Sequence, residues 1–349
     1  MRLRRSWVSL CVALCLPPFI VALGDGSYAH INQSLDRPAG WERIVSQSDF
    51  ILGQLTPVGM VNGISVYERG YGTYPSIDGS TVAVPLAMEF ARQHLDLPDG
   101  DIAPFVFFSM THSAYEHLIQ KRPNGSALLP SMNAAMDPNH PVDLILVTEP
   151  SEEELAMAAA YGLTLMMEPV CLDAFVFITH ADNPVNSLTA DQIRRIYSGE
   201  IVNWMDVGGA DVPIAAYQRE PNSGSQTAMI QMVMGDMELS GAQPNFVTSG
   251  MSDLVRRVGD YENSQSSLGY TYLYYISELY KGEPIKTIQV DGIAPVAENI
   301  RSGAYPFSTA YYGVYRKGEE NGNGGKFLKW IVSPEGQSCV ALAGYIPLQ

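Results

Sequence analysis

The chain has 349 residues, 46% of them apolar and 17% charged. That is enough to bury two ordinary cores, and too apolar for a disordered or collagen-like polymer. With 21 Lys and Arg against 37 Asp and Glu the net charge is −16, the wrong sign for a nucleic-acid binder. Four cysteines, two of them near the N-terminus (Cys11, Cys15), are too few for a disulfide framework or a cysteine-based zinc site; Cys171 and Cys339 could form one long-range bridge.

Arg2, Arg4 and Arg5 precede an uncharged run from Ser6 to Leu23 that Pro17 and Pro18 interrupt, and Ala22-Leu23-Gly24 places small residues where a signal peptidase cuts. Residues 1–24 therefore read as an export signal, with retention as a membrane anchor the alternative. Leu10 and Leu14 precede the two cysteines, which argues against lipidation. Residues 25–70 form an extension with no clear pattern, and Gly70, Gly72 and Pro75 mark turns at its end.

Beyond it, apolar and β-branched runs expected to be strands (Ala103–Phe108, Val142–Val147, Ala174–Thr179, Pro213–Tyr217) alternate with helical periodicity. Ser151 with Glu154, and Thr189 with Gln192, have capping-box spacing and predict helix starts; Gly162 and Ser198-Gly199 predict the ends. The Pro- and Asn-rich stretch 118–141 reads as a surface insertion, and Asn321–Gly325 as a turn before a final helix near Lys326–Ile331. Regular alternation predicts an α/β fold with mostly parallel sheets.

Three helix starts carry hydroxyls. Asp78-Gly79-Ser80-Thr81 precedes a helix expected to turn Val82, Leu86, Phe90 and Leu95 inward. Thr111-His112-Ser113 precedes Ala114–Ile119, and Arg219 followed by Ser223-Gly224-Ser225 precedes Ala228–Met234. Free N–H groups and the positive end of the helix dipole attract anions there, glycine permits close approach, and a guanidinium offers a planar fork. Beyond the carboxyl ends of strands, such starts suggest a pocket for a small oxyanion.

No catalytic set emerges. His112 and His117 lack zincin spacing and read as one turn-facing and one solvent-facing residue; His180 reads as a surface residue, and Glu152–Glu154 as a solvated first helical turn. No G-x-S-x-G or Walker A pattern occurs, since Phe327 follows Gly325-Lys326. Tyr270, Tyr272, Tyr274 and Tyr275 read as core or hinge packing. Catalytic residues, metal ligands and cofactors are therefore all expected to be none.

From about residue 70 onward the sequence resembles the phosphate-binding proteins of bacterial phosphate ABC transporters. The segments DGSTVAVPLA (Asp78–Ala87), VDLILVTEPSEEEL (Val142–Leu155), DAFVFITHADNPV (Asp173–Val185), SLGYTYLYY (Ser267–Tyr275), AYPFS (Ala304–Ser308) and SPEGQ (Ser333–Gln337) carry it, above all Leu188–Ser225. The resemblance implies a periplasmic-binding-protein-like (type II) fold: two doubly wound lobes joined by crossover strands near Glu168–Asp173 and Ser267–Tyr272, with a ligand cleft between them. Lobe I would comprise 71–170 plus 273–349, and lobe II 171–272.

By motif position, Ser80, Thr81, Thr111 and Ser113 would bind from one lobe, and Arg219, Ser223, Gly224 and Ser225 from the other. Two positions depart from the family. Thr148 stands where members carry the Asp that accepts the ligand's proton, and Pro221 where they carry an Asp two residues after the Arg. Glu149 or Glu220 becomes the candidate acceptor. The implied function is a monomeric, exported carrier of inorganic phosphate or a similar tetrahedral oxyanion, delivering to an ABC permease at the membrane. The alternatives are an extracellular phosphoesterase-like enzyme on the same scaffold, or an anion sensor or surface-interaction protein using residues 25–70.

Overall fold

The computed structural model describes residues 74–95, 108–124, 140–241 and 246–349, positions 102 and 106, and the backbone of two short strands further upstream. The export signal expected at 1–24, most of the strand expected over Ala103–Phe108, and most of the 118–141 insertion lie outside the described residues. Strands β1 (Thr56–Val61) and β2 (Ile64–Glu68) pair antiparallel as a separate ribbon. They give the extension at 25–70 one regular element.

The body begins with β3 (Ile77–Gly79), a 3₁₀ turn at Thr81–Ala83 and helix α1 (Val84–Leu95). Every residue of α1 is buried, the polar Glu89, Arg92, Gln93 and His94 included, so burial is not confined to the single inward face expected for it. Helix α2 (Thr111–Gln120), strand β4 (Leu144–Val147) and helix α3 (Glu152–Ala160) follow. Helix α3 starts at the Ser151/Glu154 capping box and stops before Gly162, which has φ +66°.

Strand β5 (Leu165–His180) runs for 16 residues and organises the molecule. Then come β6 (Ser187–Leu188), α4 (Ala190–Tyr197) behind the Thr189/Gln192 capping box, β7 (Ala215–Ala216) and β8 (Gln218–Arg219). Helix α5 (Gly224–Ala228) continues as a π-helical turn at Met229–Met234. The rest is β9 (Val247–Thr248), α6 (Met251–Gly259), β10 (Ser267–Tyr272), β11 (Ile285–Val290), α7 (Ala297–Arg301), β12 (Ser308–Arg316), α8 (Asn323–Ile331) and α9 (Pro334–Leu342). The helix expected to close the chain is thus followed by another, capped by Ser333, whose hydroxyl accepts from Gly336 N.

The sheet is mixed rather than mostly parallel. β3–β4, β7–β10 and β6–β11 are parallel pairs, but β5 meets β10, β11 and β12 antiparallel. The first part of β5, Leu165–Ala174, pairs with β12, which leads on to β4 and β3. The last part, Phe175–His180, pairs with β10 and β11. One strand therefore belongs to both halves of the molecule. Pro169 is tolerated inside it because the register shifts between Tyr311 and Tyr312 opposite it, and a bulge needs no N–H at every position.

Residues 273–307 are expected with the first half, and Tyr274 does donate to Ala343 O there (2.9 Å), yet β11 hydrogen-bonds to the far end of β5 and the chain rejoins the sheet of the first half at β12. A main core runs through both halves, and a smaller cluster around Tyr115, Leu118, Ile145 and Val147 seats α2 and α3 on β4. Cys171 and Cys339 are both buried free thiols, so the bridge allowed by the sequence is not formed. Among the described residues no helix is long and apolar enough to cross a membrane.

Candidate anion-binding cavity

Helix starts converge on one cavity of about 680 Å³. Its first wall is Ser80-Thr81 at the end of β3, Thr111 to Ser113 at the start of α2, and Thr148 just beyond β4. Its second wall is Arg219 to Ser225 around the start of α5, Ser249 to Asp253 around the start of α6, and Thr271, Tyr272 and Tyr275.

The first wall is held from beneath by Asp78. This fully buried carboxylate accepts Gly79 N–H and Ser109 N–H at 2.7 Å each, the Ser109 hydroxyl at 2.6 Å, and faces His117 Nδ1 at 2.8 Å. It thereby ties the end of β3 to the turn that opens α2. Gly79 is needed for the approach, because a Cβ there would stand 2.3 Å from Leu146 O. Met110, the residue before α2, has φ +76°, a conformation that non-glycine residues rarely adopt and that concentrates at ligand sites.

The Oγ atoms of Ser80 and Thr148 are buried without a hydrogen bond of good geometry. A buried hydroxyl without a well-formed hydrogen bond is unusual at a cavity wall, since buried polar atoms are ordinarily paired. Tyr115 fixes the Thr148 backbone by donating to its carbonyl at 2.7 Å.

On the second wall, Arg219 is held by its own neighbours. Nε donates to Thr248 O (3.2 Å), Nη2 to Ser249 O (3.0 Å) and Nη1 to Ser225 Oγ (3.3 Å). Its backbone N–H donates to Tyr270 Oη and Gln226 Oε1, each at 3.0 Å. Among the described residues no carboxylate lies within 4 Å of it. Burial lowers its pKa, yet a guanidinium stays protonated, so the cavity wall carries a positive charge with no ion-pair partner among the described residues. Asp253 also faces the cavity. Burial raises its pKa, but the hydrogen bonds from Arg256 (2.7 Å) and Arg257 (2.9 Å) outweigh that and hold it below the ordinary carboxylate range.

The two walls touch at Gly224, where a Cβ would lie 2.4 Å from Thr148 Oγ1 and 3.1 Å from Thr111 Oγ1. Ser223 caps α5, its hydroxyl accepting Gln226 N–H at 3.2 Å. Across the cleft Asn222 donates to Glu153 and Gln231 donates to Pro150 O (3.2 Å), while within the second wall Tyr272 donates to Gly224 O (3.3 Å).

Of the residues singled out from the sequence, Ser80, Thr81, Thr111, Ser113, Thr148, Arg219, Ser223, Gly224 and Ser225 line this one cavity. Glu149 does not. The strand ends at Val147 and the chain bends at Thr148, which lines the cavity, while Glu149 turns outward and accepts from Tyr312 Oη at 3.0 Å. Glu220 lines the cavity but is exposed.

Sequence reasoning missed the fourth helix start, Ser249-Gly250 before α6. The Ser-Gly pair and the amphipathic run with Leu254, Val255 and Val258 buried would have marked it. It also misjudged the histidines and one glutamate. His112 lines the cavity, with Nδ1 2.9 Å from Glu154 Oε1. His117 binds Asp78, and His180 is buried with Nδ1 accepting Asp182 N–H at 3.1 Å. Glu154 is 1% exposed rather than solvated; burial raises its pKa, against the Ser151 N–H and His112. Tyr272 and Tyr275 are cavity wall as well as packing. Among the described residues no cluster of His, Cys, Asp and Glu could hold a metal ion.

A cleft between two α/β halves that share a crossover strand, lined with helix N-termini, is the architecture of a solute-binding protein. Residues 124–335 match the model of the PBP superfamily domain, and the chain belongs to that family. It is 25% identical over 284 residues to the phosphate-binding protein PstS of Bacillus subtilis (strain 168), covering 80% of this chain and 82% of that protein. It is 26% identical over 182 residues to PstS of Borreliella burgdorferi, covering 51% of this chain and 64% of that one. Among solved structures, a phosphate-bound putative phosphate ABC transporter substrate-binding protein from Clostridium perfringens superposes with a TM-score of 0.57 at 24% identity, covering 79% of this chain and 100% of that chain. An ABC-type phosphate transport receptor from Vibrio cholerae gives 0.52 at 22% identity, covering 77% and 98%.

Proposed function

We propose that the chain is a non-enzymatic, extracytoplasmic solute-binding protein that captures inorganic phosphate and delivers it to an ABC permease. The observation that carries this reading is a cavity walled by hydroxyl and N–H donors around a guanidinium that has no ion-pair partner among the described residues. Such a wall satisfies a tetrahedral oxyanion on several sides at once and offers no activated nucleophile.

The energetics are adequate. Charge-assisted hydrogen bonds contribute roughly 1.5–3 kcal/mol each, and micromolar affinity needs about 8 kcal/mol, so several good donors suffice even after the cost of association. We assign residues 71–170 with the segment from β12 onward to one lobe, and the far part of β5 through α7 to the other. Closure of the two over the anion would be a hinge motion about the shared strands. Residues 1–24 act in this reading as the export signal, and the protein works as a monomer.

Calorimetric titration with inorganic phosphate tests the proposal. Saturable one-to-one binding is expected, and Arg219→Ala should weaken it at least about tenfold while the chain stays folded. Steady turnover of a chromogenic phosphate ester would instead favour an esterase.

A further inference from the structure

We propose that His112, held in one tautomer by Glu154, is the acceptor by which the cavity tells hydrogen phosphate from sulfate. The inference rests on the phosphate-binding reading and fills the role that Glu149, turned toward Tyr312, does not.

A wall made only of donors serves both anions, because both present tetrahedral oxygens. What separates them near neutral pH is the hydrogen on one phosphate oxygen, which needs a lone pair to receive it and is absent from sulfate. The carboxylates of the wall are less suited to receive it, since each Asp253 oxygen already accepts from an arginine, Arg256 or Arg257, and Glu220 is exposed.

His112 is different. Its Nδ1 is 2.9 Å from Glu154 Oε1, and the other oxygen of that buried carboxylate accepts Ser151 N–H at 2.8 Å. A carboxylate can only accept, so Nδ1 carries the ring hydrogen, and in the neutral ring the lone pair falls on Nε2. Nε2 lies on the opposite edge of the ring. It has no hydrogen-bond partner among the described residues, and His112 is part of the cavity wall. Glu154 acts here as a positioning residue.

The pair permits a sharp test. In Glu154→Gln, Ser151 N–H keeps the amide oxygen on its own side, so the NH₂ group faces Nδ1. Nδ1 must then accept, the hydrogen moves to Nε2, and an acceptor becomes a donor with almost no change of shape. In His112→Leu the acceptor is lost altogether. Phosphate and sulfate are titrated separately by calorimetry into the wild type and both variants, at about pH 8, above the ordinary range of an imidazole.

The wild type should prefer phosphate. Glu154→Gln should lower the phosphate-to-sulfate preference about tenfold or more, weakening phosphate and strengthening sulfate, whereas His112→Leu should weaken phosphate and spare sulfate. Nitrogen NMR of the imidazole should find the hydrogen on Nδ1 in the wild type and on Nε2 in Glu154→Gln. Tight phosphate binding with an unchanged preference in both variants would overturn this inference alone. A wild type that binds neither anion would overturn the phosphate reading and the inference with it.

Discussion

Gly224 occupies the closest approach between the two walls of the cavity, and no side chain fits there. A methyl group would stand 2.4 Å from Thr148 Oγ1, well inside contact distance. Gly224→Ala should therefore hold the walls apart and weaken phosphate binding by about tenfold or more, as measured by calorimetry. Its melting temperature should change little, because alanine is the better helix former at the start of α5. At this scale the Ser-Gly-Ser and Arg219 signals were legible in the sequence, since cap and glycine chemistry is local. The His112–Glu154 pair was not, because 42 residues separate its members and neither carries a local sign of the other.

Helix caps and the crossover strand set stability at the level of elements. Thr189 and Gln192 satisfy each other's backbone N–H groups at 3.0 and 2.8 Å at the start of α4. Thr189→Ala should cost about 1 kcal/mol in urea unfolding and leave phosphate affinity unchanged, since α4 contributes nothing to the cavity wall.

Asp173 sits in β5 opposite Thr309 of β12, where the halves meet. Its Oδ1 accepts Ala174 N–H (2.8 Å) and Tyr274 N–H (3.2 Å), and Oδ2 lies buried without a hydrogen bond of good geometry. Burial raises its pKa to about 7, only partly opposed by those N–H groups. The folded state thus holds the proton that the unfolded chain releases above its ordinary value of 3.8. This contribution is fully present below that value, falls as pH rises through about 7, and is flat beyond. Asp173→Asn should remove the loss, so its unfolding free energy should gain on the wild type by up to a few kcal/mol between acid and mildly alkaline pH. The capping boxes of this scale were readable from spacing. The bulge that admits Pro169 and the antiparallel course of β12 were not, because strand register is fixed by partners more than a hundred residues away.

For the molecule as a whole, a net charge of −16 surrounds a cavity suited to an anion. The conflict resolves by distance: exposed charges are screened beyond about 8 Å at physiological salt, while the dipoles and guanidinium of the cleft act at contact. Raising sodium chloride from about 0.05 to 0.5 M should change the phosphate dissociation constant by less than about threefold; a much steeper dependence in calorimetry would mean that the surface field governs binding.

The sequence alone determined the parts whose physics spans a few residues: where capping boxes start helices, where hydroxyls and glycines open others, and that one arginine follows a strand. Tertiary structure decided which of these parts meet. It carried β5 through both halves, brought α6 into the cavity wall, turned Glu149 out as Thr148 turned in, kept Cys171 and Cys339 apart as thiols, and set a buried glutamate behind His112. The division is physical: capping and periodicity act within about one helical turn, whereas register, burial and a lone pair's direction depend on chain that folds back from far away.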